Sequence, residues 1–528
     1  MTHKNIFILL LLMASQHIYA QKTHCNIEAF GAVGDGVTLC TEAINSAIVK
    51  CSENGGGRVV VPAGVFKSGT ILMKSHVELH LEMGSTLLGS TDYRDFPRQP
   101  QPAFRSSLDA EGWYALIYAE GLSNIAITGF GTIDGNGAHH QGTGMTRDNP
   151  NKLDRPRNIV LISCRQVRVE GIRMLNSGAW NQHYLDCEDV TVDRIEVYNH
   201  CNNNNDGINI DACRRFMLSN AIIDSDDDGI CLKSSGAAAA EDIVITNCVV
   251  SSTCNAIKMG TSSTGGFRNI AISNCIVKTT RSKAPTIFHI PHHGMSAIAL
   301  EIVDGGVMEG IAISNIVIEG TSSPLFIRLA NRAKKHTETA PDPPVGKMRN
   351  ITISNIVAYH TGNISNTITG LPGHTIENVT MDNLHFFNRG GLTGGRQSMI
   401  EQSGNGYYES TLPDDQYVAS HKDVPELEEG YPEAIMWGNL PSSLFFIRHV
   451  KGLSINNLTF GSMAHDPRIP VIAVDVERLR VGKSIFSGVS SPPCFVLLDD
   501  VKEFDIEKPL GWGENPVIQT FFGKIPNP

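Results

Sequence analysis

The feature that most restricts how this chain can fold is a short pattern that recurs along its middle part. In each copy a polar pair precedes alternating apolar residues, which are followed by Asn or a charged residue. Three successive steps, from Asp189 to Arg215, Asp242 and Asn269, are 26, 27 and 27 residues long. A fixed period of this length indicates a solenoid, in which each repeat packs on its neighbours. The copies begin at Arg157, Glu188, Arg214, Glu241, Arg268, Glu309, Arg349 and Ile376.

The repeated segments have the pattern of strands rather than helices. Their apolar residues alternate with a period of two and are rich in Ile, Val and Thr, whereas helical repeats would show spacings of three and four. We therefore predict an all-β fold, a right-handed parallel β-helix whose coils stack in register. Asparagines that follow the strands suit bends that need left-handed backbone geometry or side-chain ladders. They are Asn220, Asn247, Asn274, Asn315 and Asn355.

The first coil needs a cap, because an open end would expose both the core and the strand edges. The segment TEAINSAIVKC predicts a short helix, which glycines 55–57 end. We place the whole cap at about residues 25–65. One face of the helix would carry Ile44, Ala47, Ile48 and Cys51.

A long insertion interrupts the repeat in the C-terminal half. The step from Asn378 to Gly452 is 74 residues, about 47 more than one coil. We place the insertion at about residues 389–441 and expect it to line a groove, as long loops on solenoids often do. Residues 21–528 are otherwise expected to form one β-helix domain.

The first twenty residues, MTHKNIFILLLLMASQHIYA, have the pattern of a cleaved signal peptide. Lys4 precedes an apolar run, and the segment ends at Ala20, a small residue suited to cleavage. The run is too short to span a membrane stably. We therefore expect residues 1–20 to be removed and the protein to be secreted or periplasmic, with no membrane partner.

Charge and cysteine placement restrict the partners. The formal net charge is −11 at pH 7, so we expect no nucleic acid partner. Twelve cysteines in an exported protein would suggest disulfides. Five of them recur near the repeat period, however, which predicts small apolar residues stacked in a core. No cysteine spacing resembles a zinc site, and we expect no metal and no cofactor. The five cysteines are Cys164, Cys187, Cys213, Cys248 and Cys275.

Two acidic motifs, NNDGINI from Asn204 and DDGICLKS from Asp227, lie close to one coil apart. Asp206 and Asp227 are separated by 21 residues, so they should lie on adjacent rungs about 4.8 Å apart. This spacing would gather Asp206, Asp227 and Asp228 around one position. Taken alone, such an acidic cluster is as typical of a calcium loop or a solvated turn as of a catalytic site.

Together with FGAVGDGV near the N-terminus and GFGTIDGNG at Gly129, these motifs resemble glycoside hydrolase family 28, the pectinase-type β-helix glycosidases. The resemblance covers roughly residues 30–453. It implies hydrolysis of a pectic polysaccharide, galacturonan or rhamnogalacturonan, with inversion at the anomeric carbon. It also implies that Asp227 is the general acid, that Asp206 and Asp228 hold the water as base, and that Asn204 binds substrate.

Two features of that family are replaced in this sequence. Within TCNAIKMG, Asn255 stands where the family has a histidine, and an amide cannot titrate near neutral pH. The best match to an Arg-Ile-Lys clamp for uronate carboxylates places Ala299 and Glu301 at the two cationic positions. An ionised Glu301 would repel a uronate, which implies a neutral sugar there or a uronate held by other residues.

Other cations and aromatic residues are candidates for binding the sugar. Lys233, Lys258, Arg328 and Arg332 are possible replacement clamps, although solvated or coil-bridging cations have the same pattern. Aromatic residues of the insertion suit either sugar stacking or loop packing. The histidines of HIPHHG suit either the cleft or an exposed loop. The aromatic residues are Tyr407, Tyr408, Tyr431 and Trp437, and the histidines are His289, His292 and His293.

Two other classes of function remain open at this point. A polysaccharide lyase on a related β-helix would use the acids as metal ligands and abstract a C5 proton with a basic residue. A non-catalytic β-helix would bind glycan or act as an adhesin, and its aspartates would tolerate change to asparagine. The oligomeric state is not determined by the sequence.

Overall fold

The computed structural model describes residues 23–109, 112–140, 155–282, 293–402 and 406–521. The expected signal peptide, His289 and His292 lie outside these ranges. In the N-terminal coils the strands are Thr23–Asn26, Asp35–Leu39, Gly57–Val61, Gly64–Ser68, Ile71–Leu72, Val77–Leu81, Ser85–Gly89, Ala115–Glu120, Ser123–Gly129 and Thr132–Asp134.

The middle of the chain continues the same arrangement of short strands, which become longer towards the insertion. The strands are Arg157–Ile162, Arg165–Glu170, Arg173–Leu175, Gln182–Leu185, Glu188–Asp193, Glu196–Asn199, Ile208–Asp211, Arg214–Ser219, Ile222–Ser225, Ile230–Ser234, Ala240–Thr246, Val249–Ser252, Asn255–Ser263, Phe267–Lys278, Gly294–Ile302, Val307–Glu319, Thr321–Leu329, Lys347–Thr361, Asn366–Thr369 and Ile376–Asn388.

The last coils follow the insertion, which has short strands of its own. The insertion contains Gly394–Arg396, Ile400–Gln402, Tyr408–Ser410 and Gln416–Val418. The final coils contain Ser442–Ser462, Ile469–Val481, Ser484–Phe486, Val496–Val501, Phe504–Ile506 and Ile518–Thr520. The helical segments described are the α-helix Thr41–Glu53 and the 3₁₀ turns Ile27–Phe30, Tyr93–Asp95, Gly137–His140 and His421–Asp423.

The strands form a parallel β-helix, because each pairs in parallel with the strand one coil away. Val190, for example, pairs with Phe216, which in turn is followed by Ile243 on the next coil. Side chains alternate between the two faces of a strand, so every second residue points into the coil and stacks on its counterpart. The prediction of an all-β parallel β-helix is confirmed.

The asparagines at the bends have the geometry expected from the sequence. Asn220 and Asn247 have φ angles of 56° and 58°, in the left-handed region. Asn247 Nδ2 donates to Asn220 Oδ1 at 3.3 Å, and Asn355 donates to Asn315 at 2.9 Å in the same ladder. These side chains therefore both form the bend and link neighbouring coils.

The N-terminal helix covers the first coil as predicted. Its buried residues are the four of the predicted face, Ile44, Ala47, Ile48 and Cys51. This helix, the longest in the described ranges, has 13 residues, too few to cross a bilayer. All twelve cysteines lie within the described ranges and carry free thiols. The five repeat cysteines belong to the main apolar core, which confirms their predicted packing role.

One face of the β-helix, here called the site sheet, carries the acidic motifs. Its strands include Ile208–Asp211, Ile230–Ser234, Asn255–Ser263 and Gly294–Ile302, which pair in that order. The insertion, residues 389–441, packs on the outside of this sheet. Apolar side chains join the two in one buried cluster that includes Ala299, Phe326, Phe446, Val424, Met436 and Trp437.

Candidate active site

The three aspartates lie in turns at the start of two adjacent strands of the site sheet. Asp206 precedes Ile208–Asp211, while Asp227 and Asp228 precede Ile230–Ser234. Gly207 N donates to Asp228 O at 2.9 Å, which ties the two turns together. One carboxylate oxygen of Asp206 and one of Asp227 each lie within 4.8 Å of an Asp228 oxygen. The spacing argument therefore places the three acids correctly, on neighbouring rungs of one face.

Two buried lysines compensate the charge of the aspartates from the neighbouring strands. Lys258 Nζ lies 3.2 Å from Asp228 Oδ2, and Lys233 Nζ lies 3.8 Å from Asp206 Oδ2. The Lys233 ammonium also lies 4.8 Å from the ring centre of Trp180, a half-buried residue at the edge of the site. Both lysines point outward from the sheet at the place where the aspartates gather.

Two asparagines hold the carboxyl groups. Asn204 Nδ2 donates to Asp227 Oδ2 at 3.2 Å, and Arg155 in turn donates to Asn204 Oδ1 at 3.0 Å. Asn255 Nδ2 donates to Asp228 Oδ1 at 2.8 Å. Asn255, where the family resemblance predicts a histidine, thus has a hydrogen bond to the acidic cluster but brings no titratable group.

The surroundings of the three aspartates shift their pKa values in different directions. Burial and the charge of Asp227 raise the pKa of Asp206 well above its usual value. Burial and the neighbouring Asp228 raise the pKa of Asp227. Burial would also raise the pKa of Asp228, but the ammonium groups of Lys258 and Lys233 and the Asn255 hydrogen bond together lower it. Asp228 is therefore the carboxyl that ionises most readily, and the other two hold their protons to higher pH than an ordinary aspartate.

The insertion adds to the site one acid that the sequence did not single out, Glu433, and two aromatic candidates that it did, Tyr431 and Tyr407. Glu433, 5% exposed, places Oε1 at 3.9 Å from Lys258 Nζ and Oε2 at 3.5 Å from Asn255 Nδ2. Lys258 also donates to the Tyr431 hydroxyl at 3.5 Å, and the Tyr431 ring packs 4.3 Å from that of Tyr407. No sequence signal distinguishes Glu433 from the other acids of the insertion. Trp180 was likewise missed.

Two predicted substrate-binding residues lie beneath the insertion rather than at an open cleft. Glu301 is completely buried beside Gly260, and neither of its carboxylate oxygens has a hydrogen-bond partner among the described residues. Burial raises the pKa of Glu301 well above its usual value, so this carboxyl favours its neutral form. The expectation of an ionised Glu301 that faces a sugar is therefore corrected, since Glu301 is inaccessible and burial disfavours its charged form.

Arg328 is also completely buried and binds the insertion. It donates to the carbonyls of Gly370 and Leu427 at 3.2 and 3.4 Å and to that of Glu426, and it lies 5.3 Å from the Trp437 ring centre. Burial lowers its pKa to about 9. Its contacts are those of a residue that anchors the insertion, which corrects its placement among the substrate-binding candidates.

The remaining candidates within the described residues contact other parts of the scaffold. Arg332 donates to Asp304 through two nitrogens, at 3.0 and 2.5 Å, so its charge is already paired. Trp437 belongs to the apolar cluster under the insertion, and Tyr408 packs against that cluster. His293 lies beside Gly320.

The aspartates and a nearby thiol have the spacing of a cation site. Oxygens of Asp206 and Asp228 and the Cys231 thiol lie within 4.8 Å of one another. The ammonium groups of Lys233 and Lys258 already occupy the same carboxylates, however, and a buried cation would be repelled there. We therefore assign no metal ligand in this cluster, and the absence of a metal stays a prediction.

Comparisons with known proteins agree with the geometry. The family described as glycosyl hydrolases family 28 matches residues 51–401. A probable polygalacturonase of Vitis vinifera is 34% identical over 215 residues, which cover 39% of this chain and 43% of the relative. An exo-poly-alpha-D-galacturonosidase of Dickeya chrysanthemi is 30% identical over 251 residues, covering 39% of this chain and 41% of the relative. Each match thus spans less than half of this chain and less than half of the relative's length.

Solved structures share the fold. An exopolygalacturonase from Thermotoga maritima superposes with a TM-score of 0.57 at 24% identity, covering 72% of this chain and 89% of that one. A family 28 exopolygalacturonase of Yersinia enterocolitica gives 0.51 at 17% identity, covering 96% and 79%. At these identities the likeness concerns the β-helix itself.

Proposed function

This chain belongs to glycosyl hydrolases family 28, as the sequence resemblance predicted, and we propose that it is an exported enzyme that hydrolyses glycosidic bonds in galacturonan-type pectic polysaccharide. The observation that carries the proposal is the cluster of three aspartates on adjacent rungs, whose pKa values are driven in different directions. Glycoside hydrolysis requires one carboxyl that holds a proton and one that has lost it. The raised pKa of Asp227 and the lowered pKa of Asp228 support these two roles.

Asp227 is the proposed general acid. It is half-buried, so a sugar can approach it, and its raised pKa lets it hold a proton to higher pH than an ordinary aspartate. Its proton would pass to the glycosidic oxygen as the bond from that oxygen to the anomeric carbon breaks. Asn204, which donates to Asp227 Oδ2, would hold the carboxyl in place during the transfer.

Asp228 is the proposed base, with Asp206 beside it to hold the attacking water. Asp228 has the lowered pKa, so it can accept the proton that water loses as it bonds to the anomeric carbon. Attack from the side opposite the leaving oxygen gives a product with inverted configuration. Lys233 and Trp180 border the Asp206 side and are the proposed contacts for a sugar there.

The insertion suggests action at chain ends. Asn255, Lys258 and Glu433 are each at most 5% exposed beneath it, whereas Asn204 and Asp227 on the other side are half-buried. A cleft closed on one side admits a chain terminus more readily than the middle of a polymer. We therefore include an exo mode, a mode that also appears in the name of the Dickeya chrysanthemi relative.

The test is an assay of the purified protein on polygalacturonate, rhamnogalacturonan and debranched pectic oligosaccharides. We expect new reducing ends without ultraviolet-absorbing unsaturated products, and short products from the first minutes. Unsaturated ends would instead identify a lyase. Glycan binding without any cleavage would support the non-catalytic alternative. Recovery of the protein outside the cytoplasm, with residues 1–20 removed, would test the proposed export.

A further inference from the structure

Two carboxyl groups from distant parts of the chain share the same two partners. Asp228 contacts Lys258 Nζ with Oδ2 at 3.2 Å and Asn255 Nδ2 with Oδ1 at 2.8 Å. Glu433 contacts the same Lys258 and Asn255 atoms with its own two oxygens, at 3.9 and 3.5 Å. The Lys258 ammonium and the Asn255 amide therefore each contact both carboxyl groups, and the contact to Asp228 is the shorter one in both cases.

The shared amide is held in this orientation from the opposite side. Ser296 Oγ donates to Asn255 Oδ1 at 2.5 Å, so the Nδ2 group must face the two carboxyls. The backbone of Glu433 is held by its own segment, since Met436 N donates to the Glu433 carbonyl oxygen at 3.0 Å and Met436 is part of the buried cluster on the site sheet. The Asn255 amide cannot turn away without losing its bond from Ser296.

Like charges that share one cation cannot both ionise freely. Burial raises the pKa of Glu433 to about 7, while Lys258 opposes the shift. The charged or acidic groups that face it are Lys258, Asp227, Asp228 and Glu301. Tyr407, Tyr431 and Cys254 also face it, but burial raises their pKa values, so they stay neutral across this range. Glu433 is therefore a group of this cluster whose charge changes near neutral pH.

We propose that Glu433 is a positioning residue of the active site, which acts through Lys258 and Asn255 to set the charge felt by Asp227 and Asp228. The inference rests on the proposed hydrolase function. When Glu433 ionises, the added negative charge opposes ionisation of Asp227, so the general acid keeps its proton to higher pH. The insertion thereby supplies a titrating group at a place where Asn255 cannot provide one.

The test compares pH profiles of kcat/KM on oligogalacturonates for the wild type, Glu433→Gln and a control, Glu409→Gln. Glu409 is an exposed glutamate of the same insertion. In Glu433→Gln the alkaline limb should move down by about half a pH unit to one unit, as expected for the loss of one nearby charge. The acidic limb should stay in place, because Glu433 is already neutral there. The Glu409 variant should retain the wild-type profile.

A Glu433→Gln profile that superimposes on that of the wild type would overturn the inference. A uniform loss of kcat/KM at every pH would also overturn it, because a purely structural role predicts that result. A second measurement does not depend on activity. Difference infrared spectra of the wild type against Glu433→Gln should show one carboxyl that ionises near pH 7, and its absence would also overturn the inference. A wild type that cleaves no pectic substrate yet shows this carboxyl would refute the proposed function while upholding the shared-charge cluster.

Discussion

Asn255 Nδ2 lies 2.8 Å from Asp228 Oδ1, although 27 residues separate the two along the chain. That separation is one coil of the β-helix, so the contact follows from the register of the stacked strands. The same register brings Lys258 to Asp228 and Lys233 to Asp206.

Asn255→Ala should lower both stability and activity. The change removes a hydrogen bond to a carboxylate and leaves the Ser296 hydroxyl buried without its acceptor. We expect the free energy of unfolding to fall by about 1–3 kcal/mol, as is usual when buried polar groups lose their partner. Denaturant titration measures this, and an unchanged midpoint would show that the contact contributes nothing.

Asp227→Asn should abolish hydrolysis and leave the fold intact. An amide has the same shape as the carboxyl but cannot deliver a proton to the leaving oxygen, which is worth roughly 10²-fold or more. Steady-state rates, with circular dichroism as the control for folding, test this. Activity within about tenfold of the wild type would contradict the assignment of the acid. Chiral analysis of the first product should show inverted configuration, and retention would refute the proposed roles.

Lys258→Met should move the acidic limb of the rate profile to higher pH. Lys258 is the principal group that lowers the pKa of Asp228 against the effect of burial. Without it Asp228 holds its proton to higher pH, and the base form is lost first in acid. A shift of roughly one unit is expected for the loss of an adjacent opposite charge. An acidic limb that stays at its wild-type position would show that Asp228 is not the base.

The sequence was sufficient to predict what depends on the repeat. The strand period and the asparagine bends follow from residues that recur once per coil. The clustering of Asp206 with Asp228 follows from the coil length, and the helix face follows from the spacing of the helix's own apolar residues. The insertion has no such period, so its path over the site sheet could not be derived. For that reason Glu433 was missed, and Glu301 and Arg328 were expected at an open cleft when they lie beneath the insertion.

Arg328→Lys should loosen the insertion rather than weaken uronate binding. A lysine cannot reach the carbonyls of Gly370, Glu426 and Leu427 together, since its donors radiate from one nitrogen. Faster proteolytic cleavage within residues 389–441 is expected. Arg396→Lys, at an exposed arginine of the insertion, is the matched control and should behave as the wild type. A raised KM with unchanged proteolysis would instead return Arg328 to the substrate site.

Glu301→Gln should stabilise the protein at neutral pH and have little effect in acid. The folded-state pKa of Glu301 is raised by burial, so its contribution to stability is fully present below the unfolded pKa of about 4.3 and is lost as pH rises towards the folded value. Glutamine is uncharged at every pH and avoids this loss.

The measurement is the free energy of unfolding of wild type and variant at several pH values between 4 and 8. The gain from Glu301→Gln should be near zero at pH 4 and grow as pH rises, because only the wild type must bind a proton or bury a charge at this position. Glu301→Lys is the opposing variant: it places a second ammonium beside Lys258 and should destabilise the fold. A stability difference that does not vary with pH would show that Glu301 is ionised in the folded protein, and a uronate-repelling role for it would then have to be reconsidered.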